Sequence, residues 1–451
     1  MGVVIENSIW EPNPSLYVFI LICCFSSIIF FPHASIKNKN KSQSPFSHVI
    51  SPSFLRFQSK FLFLFSLASV MEGLWSVFGE FELVLYGVSK VQTVTYLCVG
   101  FGAALFLGTL LGMLSDFIGH KKACLMFCIL HLFVGIWKRI MSHPSIWLGS
   151  ICLSLATSIF SFSFEAWLVA ENKKQGYGQD TLSDTFWLMT FLESASLIGS
   201  QVLGNWLLGS NPEKGIMSSY TAASFLAMIG ILCLSKGWKE TTQSEASQNF
   251  RVSYTHIFTD KRMWLLGFAH SCLQFSVAVF WILWAPTLVA DGREVHLGLV
   301  YPCFLGSRML GSTVFPWLLT GSSSLRTEDC LGYAFLVLGF ASSFVAYDYQ
   351  EIGALVSVFC VFHAGVGLII PSLARLRTMH VPNELRGGMI SFSLVPANAA
   401  ILFLLIQRGY YQKMENSTMM AFAALGLFLG SGCMHLLKRW GKQPYQNWHK
   451  L

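Results

Sequence analysis

The stretch LGMLSDFIGHKK, Leu111 to Lys122, is a short polar break between two long apolar runs. Its residue types suit a tight connection between two membrane helices. Gly112 and Gly119 permit close helix approach and a sharp turn. Asp116 supplies a carboxylate that can cap a helix N-terminus and pair with a base. His120, Lys121 and Lys122 hold the connection in the aqueous layer on the cytoplasmic side.

The rest of the chain agrees with that reading. Of its 451 residues 53% are hydrophobic and 12% are charged, with a mean hydropathy of +0.55. Soluble domains carry about a quarter charged residues, so the composition points to an all-α polytopic membrane protein whose partner is the lipid bilayer. Twelve windows long enough to cross a bilayer follow residue 60, the first near 61–82 and the last near 417–437. A further apolar segment, Leu16 to Phe31, precedes them. Glu6 and Glu11 flank it where a cleaved signal would carry basic residues, so it reads as an uncleaved extra anchor. The net charge of +7 comes from basic residues scattered over short loops, which excludes a nucleic-acid partner. The twelve cysteines lie mostly in apolar runs without CxxC or zinc spacing, so no metal site is expected.

Lys and Arg set the orientation. With residues 32–60 in the cytoplasm, inner loops and the tail hold 22 of the 30 basic residues, outer loops hold seven, and Arg308 lies within a helix. Lys138 and Arg139 fall on the outer side against the trend. The longest polar stretch between helices, Lys236 to Met263, divides the twelve windows six and six, as in proteins whose two halves rock about a central site. The expected organisation is an anchor and linker (1–59), a six-helix bundle (60–236), a central linker (237–262), a second six-helix bundle (263–437) and a cytoplasmic tail (438–451). LFLGTLLGMLSDFIGHKK and RMLGSTVFPWLLTGSSSLR occupy equivalent places in the two halves.

GMLSDFIGHKK resembles the loop signature of the major facilitator superfamily between its second and third helices. SPSFLRFQSKFLF from Ser51, FSFEAWLVAE from Phe162, DKRMWLLG from Asp260, LWAPTL from Leu283 and GVGLIIPSLARLR from Gly365 are together similar to the molybdate-anion transporter family within it. The resemblance runs from about Leu16 to about Leu437 and implies a major facilitator fold, two six-helix bundles plus the extra N-terminal segment, in a divergent, plant-type member. Three departures stand out. EGLWSV from Glu72 keeps only the acid of the family's first-helix motif. Gln274 stands where the family often has Glu. Leu394 stands where the family has an Arg before Val-Pro.

Ionisable residues inside membrane helices are costly and mark candidate sites. Glu72 and Arg308 each fall about 12 residues into their helices, near the midplane at about 1.5 Å per residue. Arg308 reads either as the anion site replacing the missing arginine or as a permanent partner of Glu72 or Glu193. Substrate-binding candidates are therefore Arg308, Glu72, Glu193 and Gln274. Proton-coupling candidates are Glu72, His270 and His363, each weighed against a plain packing role. Glu80 and Glu82 read as a solvated outer rim. Glu165, near the cytoplasmic end of its helix, reads as a gate latch paired with Lys121 and Lys122. Gly365, Gly367 and Pro371 read as a break in the tenth window, and Pro286, Pro302, Pro316 and Pro396 as further kinks.

The expected function is secondary active transport of a small anionic solute, an oxyanion such as molybdate, by alternating access with proton coupling. The alternatives are transport of another solute such as a sugar, or a sensor or scaffold without transport; an intramembrane enzyme ranks third. No G-x-x-x-x-G-K-S/T occurs, so ATP drive and a cofactor are not expected. The expected setting is the plasma membrane, with an endomembrane as alternative, and the expected state a monomer.

Overall fold

The computed structural model describes residues 9–39, 52–85, 87–141, 145–176, 178–208, 212–237, 260–320, 326–347, 351–411 and 414–441. Almost all of these are helical, and the single β-bridge among them joins Trp10 to Val295. In hydrocarbon no water satisfies the backbone, so apolar segments close their hydrogen bonds internally as helices.

The first half comprises α1 (Pro14–Lys39), α2 (Pro52–Leu85), α3 (Lys90–Ala103), α4 (Thr109–Ile118), α5 (His120–Ile140), α6 (Ile146–Lys174), α7 (Gln179–Leu208) and α8 (Pro212–Gly237). A π-helical turn, Ala104–Gly108, joins α3 to α4, so the two form one span. The second half comprises α9 (Lys261–Leu288), α10 (Leu297–Thr320), α11 (Thr327–Ala346), α12 (Ile352–His380), α13 (Arg386–Ser393), α14 (Val395–Gly409) and α15 (Asn416–Gly441). Eleven of the spans are long and apolar enough to cross a bilayer. Helix α10 is not among them, and it is the one that carries Arg308, Pro302 and Pro316.

Among the described residues the buried apolar core forms two large clusters and a small third one of Trp75, Val134, Cys152, Tyr220 and Ala223. One large cluster draws only on residues from Met263 to Leu437. The other large one draws on Phe54 to Leu234, joined by Ala374 and Ile390 from the second half. Large apolar side chains such as Phe106, Trp206 and Phe340 face outward, where lipid meets them without cost.

Helix α1 packs on α10. Tyr17 donates to the Leu299 carbonyl, Trp317 Nε1 donates to Ser27 Oγ at 3.1 Å, and Ile20 lies against Gly306. The backbone of Trp10 pairs with Glu294 and His296 at 2.9 and 3.0 Å. The extra anchor thus rests on the second half although it precedes the first.

The prolines fall into two groups. Helices continue through Pro286, Pro302, Pro316 and Pro371. The interruption comes between Ser393 and Val395, just ahead of Pro396. Helix α12 runs unbroken through Gly365 and Gly367, and at Gly367 its backbone is closely packed against α10. A Cβ at Gly367 would overlap the Arg308 carbonyl, and one at Gly311 would overlap the Ala364 carbonyl. Backbone cannot swing aside as a side chain can, so Gly311→Ala is expected to cost about 1–3 kcal/mol of overpacking and to displace α10. Thermal unfolding of the detergent-solubilised variant measures this; an unchanged midpoint would refute the close crossing.

Buried cysteines behave as small hydrophobes. All twelve are free, and Cys124 and Cys128 are fully enclosed. Lys138, out of place by the charge rule, is buried with its ammonium 5.1 Å from the Trp75 ring centroid and 5.6 Å from that of Tyr220. Cation–π attraction to both rings favours a lysine at that position. The second copy of the sequence echo lies on α10 as far as Thr320, while residues 321–325 and the side chains of Glu80 and Glu82 lie outside the described residues.

Candidate functional site

A cavity of about 690 Å³ lies between the two halves. It runs from Glu165 and Arg377 at its floor to Asn205 and Gly298 near the opposite ends of α7 and α10. Glu72, Glu193, His270, Gln274 and Arg308 all line it. The floor lies toward the face that the Lys/Arg bias assigns to the cytoplasm.

Arg308 reaches across the halves. Its Nη2 donates to Glu193 Oε1 at 3.0 Å, joining α10 to α7. Arg308 is 8% exposed, and its Nε has no hydrogen-bond partner. A buried guanidinium donor without an acceptor is costly, and this atom is shielded from solvent in the present arrangement. The close crossing of α12 at Gly367 and Gly311 fixes the backbone on which Arg308 stands. Of the two partners weighed for Arg308, the structure selects Glu193.

Glu72 is bonded within the first half. His131 Nε2 lies 3.1 Å from Oε1, and Thr157 donates to Oε2 at 2.8 Å. His270 and Gln274 share a face of α9 as their spacing predicts. Ser393 Oγ donates to the Ile390 carbonyl at 2.6 Å, so it accepts from His270 Nδ1 at 2.7 Å. Gln274 Nε2 then donates to His270 Nε2 at 3.3 Å. The chain of bonds is self-consistent for a neutral imidazole protonated at Nδ1. His363 is not on the cavity wall. It is enclosed by the rings of Phe280, Trp281, Phe304 and Phe362 at centroid distances of 4.5, 5.0, 5.5 and 5.6 Å, and neither ring nitrogen has a hydrogen-bond partner.

The floor is closed by contacts between the halves. Glu165 on α6 accepts from Arg377 through both Nε, at 2.8 Å, and Nη2, and from Arg386 Nη1 at 3.4 Å. The latch partners are therefore these arginines, not Lys121 and Lys122. The reason is geometric: Glu165 faces inward, whereas the lysines sit on the loop side at the start of α5. Arg386 is fully enclosed and also donates to Asn383 Oδ1 and to the Arg377 and Val381 carbonyls.

The opening motif seals the same face. Gly119, at φ +99°, ends α4 in a conformation that favours glycine. Asp116 does cap a helix N-terminus, but in the opposite half. Its Oδ1 and Oδ2 accept from the Gly387 and Gly388 amides of α13 at 2.9 and 2.7 Å, and His120 Nδ1 lies 3.8 Å from Oδ1. Gly112 and Gly387 let α4 and α13 meet, since a Cβ on either would overlap the other helix. Above this floor α2 and α9 both line the cavity, through Glu72 and Ser76 on one side and His270 and Gln274 on the other.

Two packed bundles sealed at one face by a Gly-x-Leu-x-Asp loop are the geometry against which known proteins can be compared. A family profile described as sugar transporters with 12 transmembrane segments matches residues 33–361. The chain belongs to this family of the major facilitator superfamily. The molybdate-anion transporter of Xenopus tropicalis is 23% identical over 355 residues, 76% of each chain. That of Danio rerio is 24% identical over 411 residues, 82% of each chain. The E. coli fucose:proton symporter superposes with a TM-score of 0.68 at 12% identity, covering 85% of this chain and 99% of its own. A bacterial homologue of the iron transporter ferroportin, in an outward-facing state, gives 0.64 at 16%, with coverages of 85% and 99%. The named relatives are transporters, and this facilitator is a multi-pass membrane transporter.

Four site residues of the facilitator escaped the sequence reading: Arg377, Arg386, His131 and Thr157. A deep acid such as Glu165 does announce that a base must lie near it. Nothing in the sequence says which, because Arg377 and Arg386 are 212 and 221 residues away. His131 sits among apolar neighbours and looks like a packing residue until α5 is placed beside α2.

Proposed function

We propose that this facilitator carries a small anion, of the oxyanion class to which molybdate belongs, by alternating access between the two bundles. The observation that carries the reading is Arg308: a buried guanidinium on the cavity wall whose Nε is unsatisfied and whose other partner, Glu193, belongs to the opposite bundle. The relatives named for molybdate-anion transport support the choice of cargo. An arriving oxyanion competes with Glu193 for Nη2 and gains Nε as the side chain turns toward it, since guanidinium favours two-point contact with planar or tetrahedral oxygens. Replacing Glu193 by the anion exchanges an inter-bundle bond for a cargo bond, so binding changes what joins α7 to α10. In this closed-floor arrangement the Glu165 cluster holds the cytoplasmic side shut, and its release opens the cavity inward.

Glu72 is the coupling group of this proposal. It lines the cavity, and its two oxygens are engaged only within its own bundle, by His131 and Thr157. His270, with both nitrogens engaged, and His363, away from the wall, fit that role less well. The family's description as sugar transporters motivates a second reading, in which Arg308 and Glu193 are a structural pair and the cargo is neutral.

Purified protein in liposomes decides between them. Uptake of molybdate and sulfate, increased by an inward pH gradient, is the expected result. Uptake of neutral sugars without anion flux would establish the second reading, and no flux of any solute would return the protein to a sensor or scaffold role.

A further inference from the structure

One part of the cavity is not used by an inorganic oxyanion. Trp281, Trp284 and Tyr301 line it together, with ring centroids 5.5 Å apart for Trp281 and Tyr301, 6.4 Å for the two tryptophans and 6.3 Å for Trp284 and Tyr301. Each is partly exposed rather than buried. The faces of such rings are electronegative and gain nothing from a bare anion, but they attract the edges and faces of other apolar rings. Behind them lies a packed layer: Trp281 abuts Phe280 and His363, and Trp284 meets Phe304 edge-on at 5.5 Å. The aromatic wall is therefore fixed in place before a ligand arrives, which lowers the entropy cost of using it.

Register relates this wall to the anchor. Tyr301 and Arg308 are seven residues apart on α10, two turns along one face, hence roughly 10 Å apart along the axis at about 1.5 Å per residue. Gln274 and Trp281 repeat the same interval on α9. The cavity volume of about 690 Å³ lies inside the range of roughly 300–1,000 Å³ that encloses drug-sized organic molecules. A tetrahedral oxyanion fills only a small part of it, being equivalent to a few waters of about 30 Å³ each.

We propose that the cavity also takes organic monoanions with a flat apolar body, the carboxylate on Arg308 and the ring against Trp281, Trp284 and Tyr301. The inference rests on the reading of Arg308 as an anion anchor and adds a ring subsite about two helical turns from it. An aryl carboxylate with a short spacer matches that reach; a carboxylate without a ring uses the anchor alone.

Equilibrium binding of 3-phenylpropanoate, propanoate, glucuronate and molybdate to the purified full chain tests the proposal, with each organic acid also measured as a competitor of molybdate. Wild type is expected to prefer 3-phenylpropanoate over propanoate by at least about tenfold, the scale of one aromatic contact plus its buried area. That preference is expected to collapse in both Trp281→Leu and Tyr301→Leu. Two variants on different helices guard against one that fails to fold, and size-exclusion behaviour reports folding directly. If molybdate and propanoate compete while 3-phenylpropanoate gains nothing, or if glucuronate is preferred to it, the ring subsite is overturned and the anion anchor stands. If the variants lose propanoate and 3-phenylpropanoate equally, the wall is structural and the proposal also falls. If no anion binds wild type, the anchor itself is wrong and both readings fail.

Discussion

Glu165→Gln is expected to open the cytoplasmic floor and abolish concentrative uptake. Glu165 is the one carboxylate shared by Arg377 and Arg386, which are 4% and 0% exposed. Removing its charge leaves two guanidinium groups buried beside each other without the carboxylate they share. Breaking a buried pair in this way costs about 3–5 kcal/mol. Because Glu165 is on α6 and both arginines are on the second bundle, the cost falls on the closed-floor state alone. In the open-floor state the arginines gain water. A bias of that size shifts the balance by two orders of magnitude or more. Spin labels at Gln175→Cys and Met379→Cys, in a background without the native cysteines, report the separation of α6 and α12 at that face. The distance distribution is expected to move to longer values in Glu165→Gln. An unchanged distribution with normal uptake would show that the cluster is not a gate.

Variants at Arg308 and Glu193 are expected to part in opposite directions. Arg308→Ala removes the anchor and strands Glu193 beside the cavity, so anion binding and uptake should fall below detection while the protein stays in the membrane. Arg308→Lys keeps the charge but loses the planar two-point donor set, and a loss of about tenfold or more in affinity is expected. Glu193→Gln is the discriminating case. If Glu193 competes with cargo for Nη2, its neutral amide competes less well and molybdate should bind about tenfold more tightly, the scale of one charge-assisted bond. Transport should nevertheless slow, because the inter-bundle bond that binding must break is already weakened. If the pair is purely structural, affinity falls or stays level in Glu193→Gln. Calorimetric titration of molybdate separates these outcomes without any flux measurement.

How much of this was legible beforehand varies by feature. Helix α1 was recognised as an additional apolar segment, yet its resting place on α10 depends on Tyr17, Ile20 and Ser27 meeting Leu299, Gly306 and Trp317 across the chain. The glycines of GVGLIIPS read from sequence as a helix break because glycine and proline weaken isolated helices. In the folded chain Gly367 is instead the space into which the Arg308 backbone fits. Residue count puts His363 midway along its helix, but position along a helix does not give direction around it. The missing angle put it in an aromatic cage rather than on the cavity wall.

The sequence by itself determined the membrane class, the run of apolar spans and the family to which LGMLSDFIGHKK points. These follow from local composition over about 20 residues, the length at which a helix crosses a bilayer. Tertiary structure decided which charges meet: Arg308 with Glu193 across 115 positions, Glu165 with Arg377 across 212, and Asp116 with the Gly387 amide across 271. A buried charge requires a partner, but many residues at the right depth qualify. Only the packing of α10 on α7, and of α4 on α13, brings one of them within bonding distance.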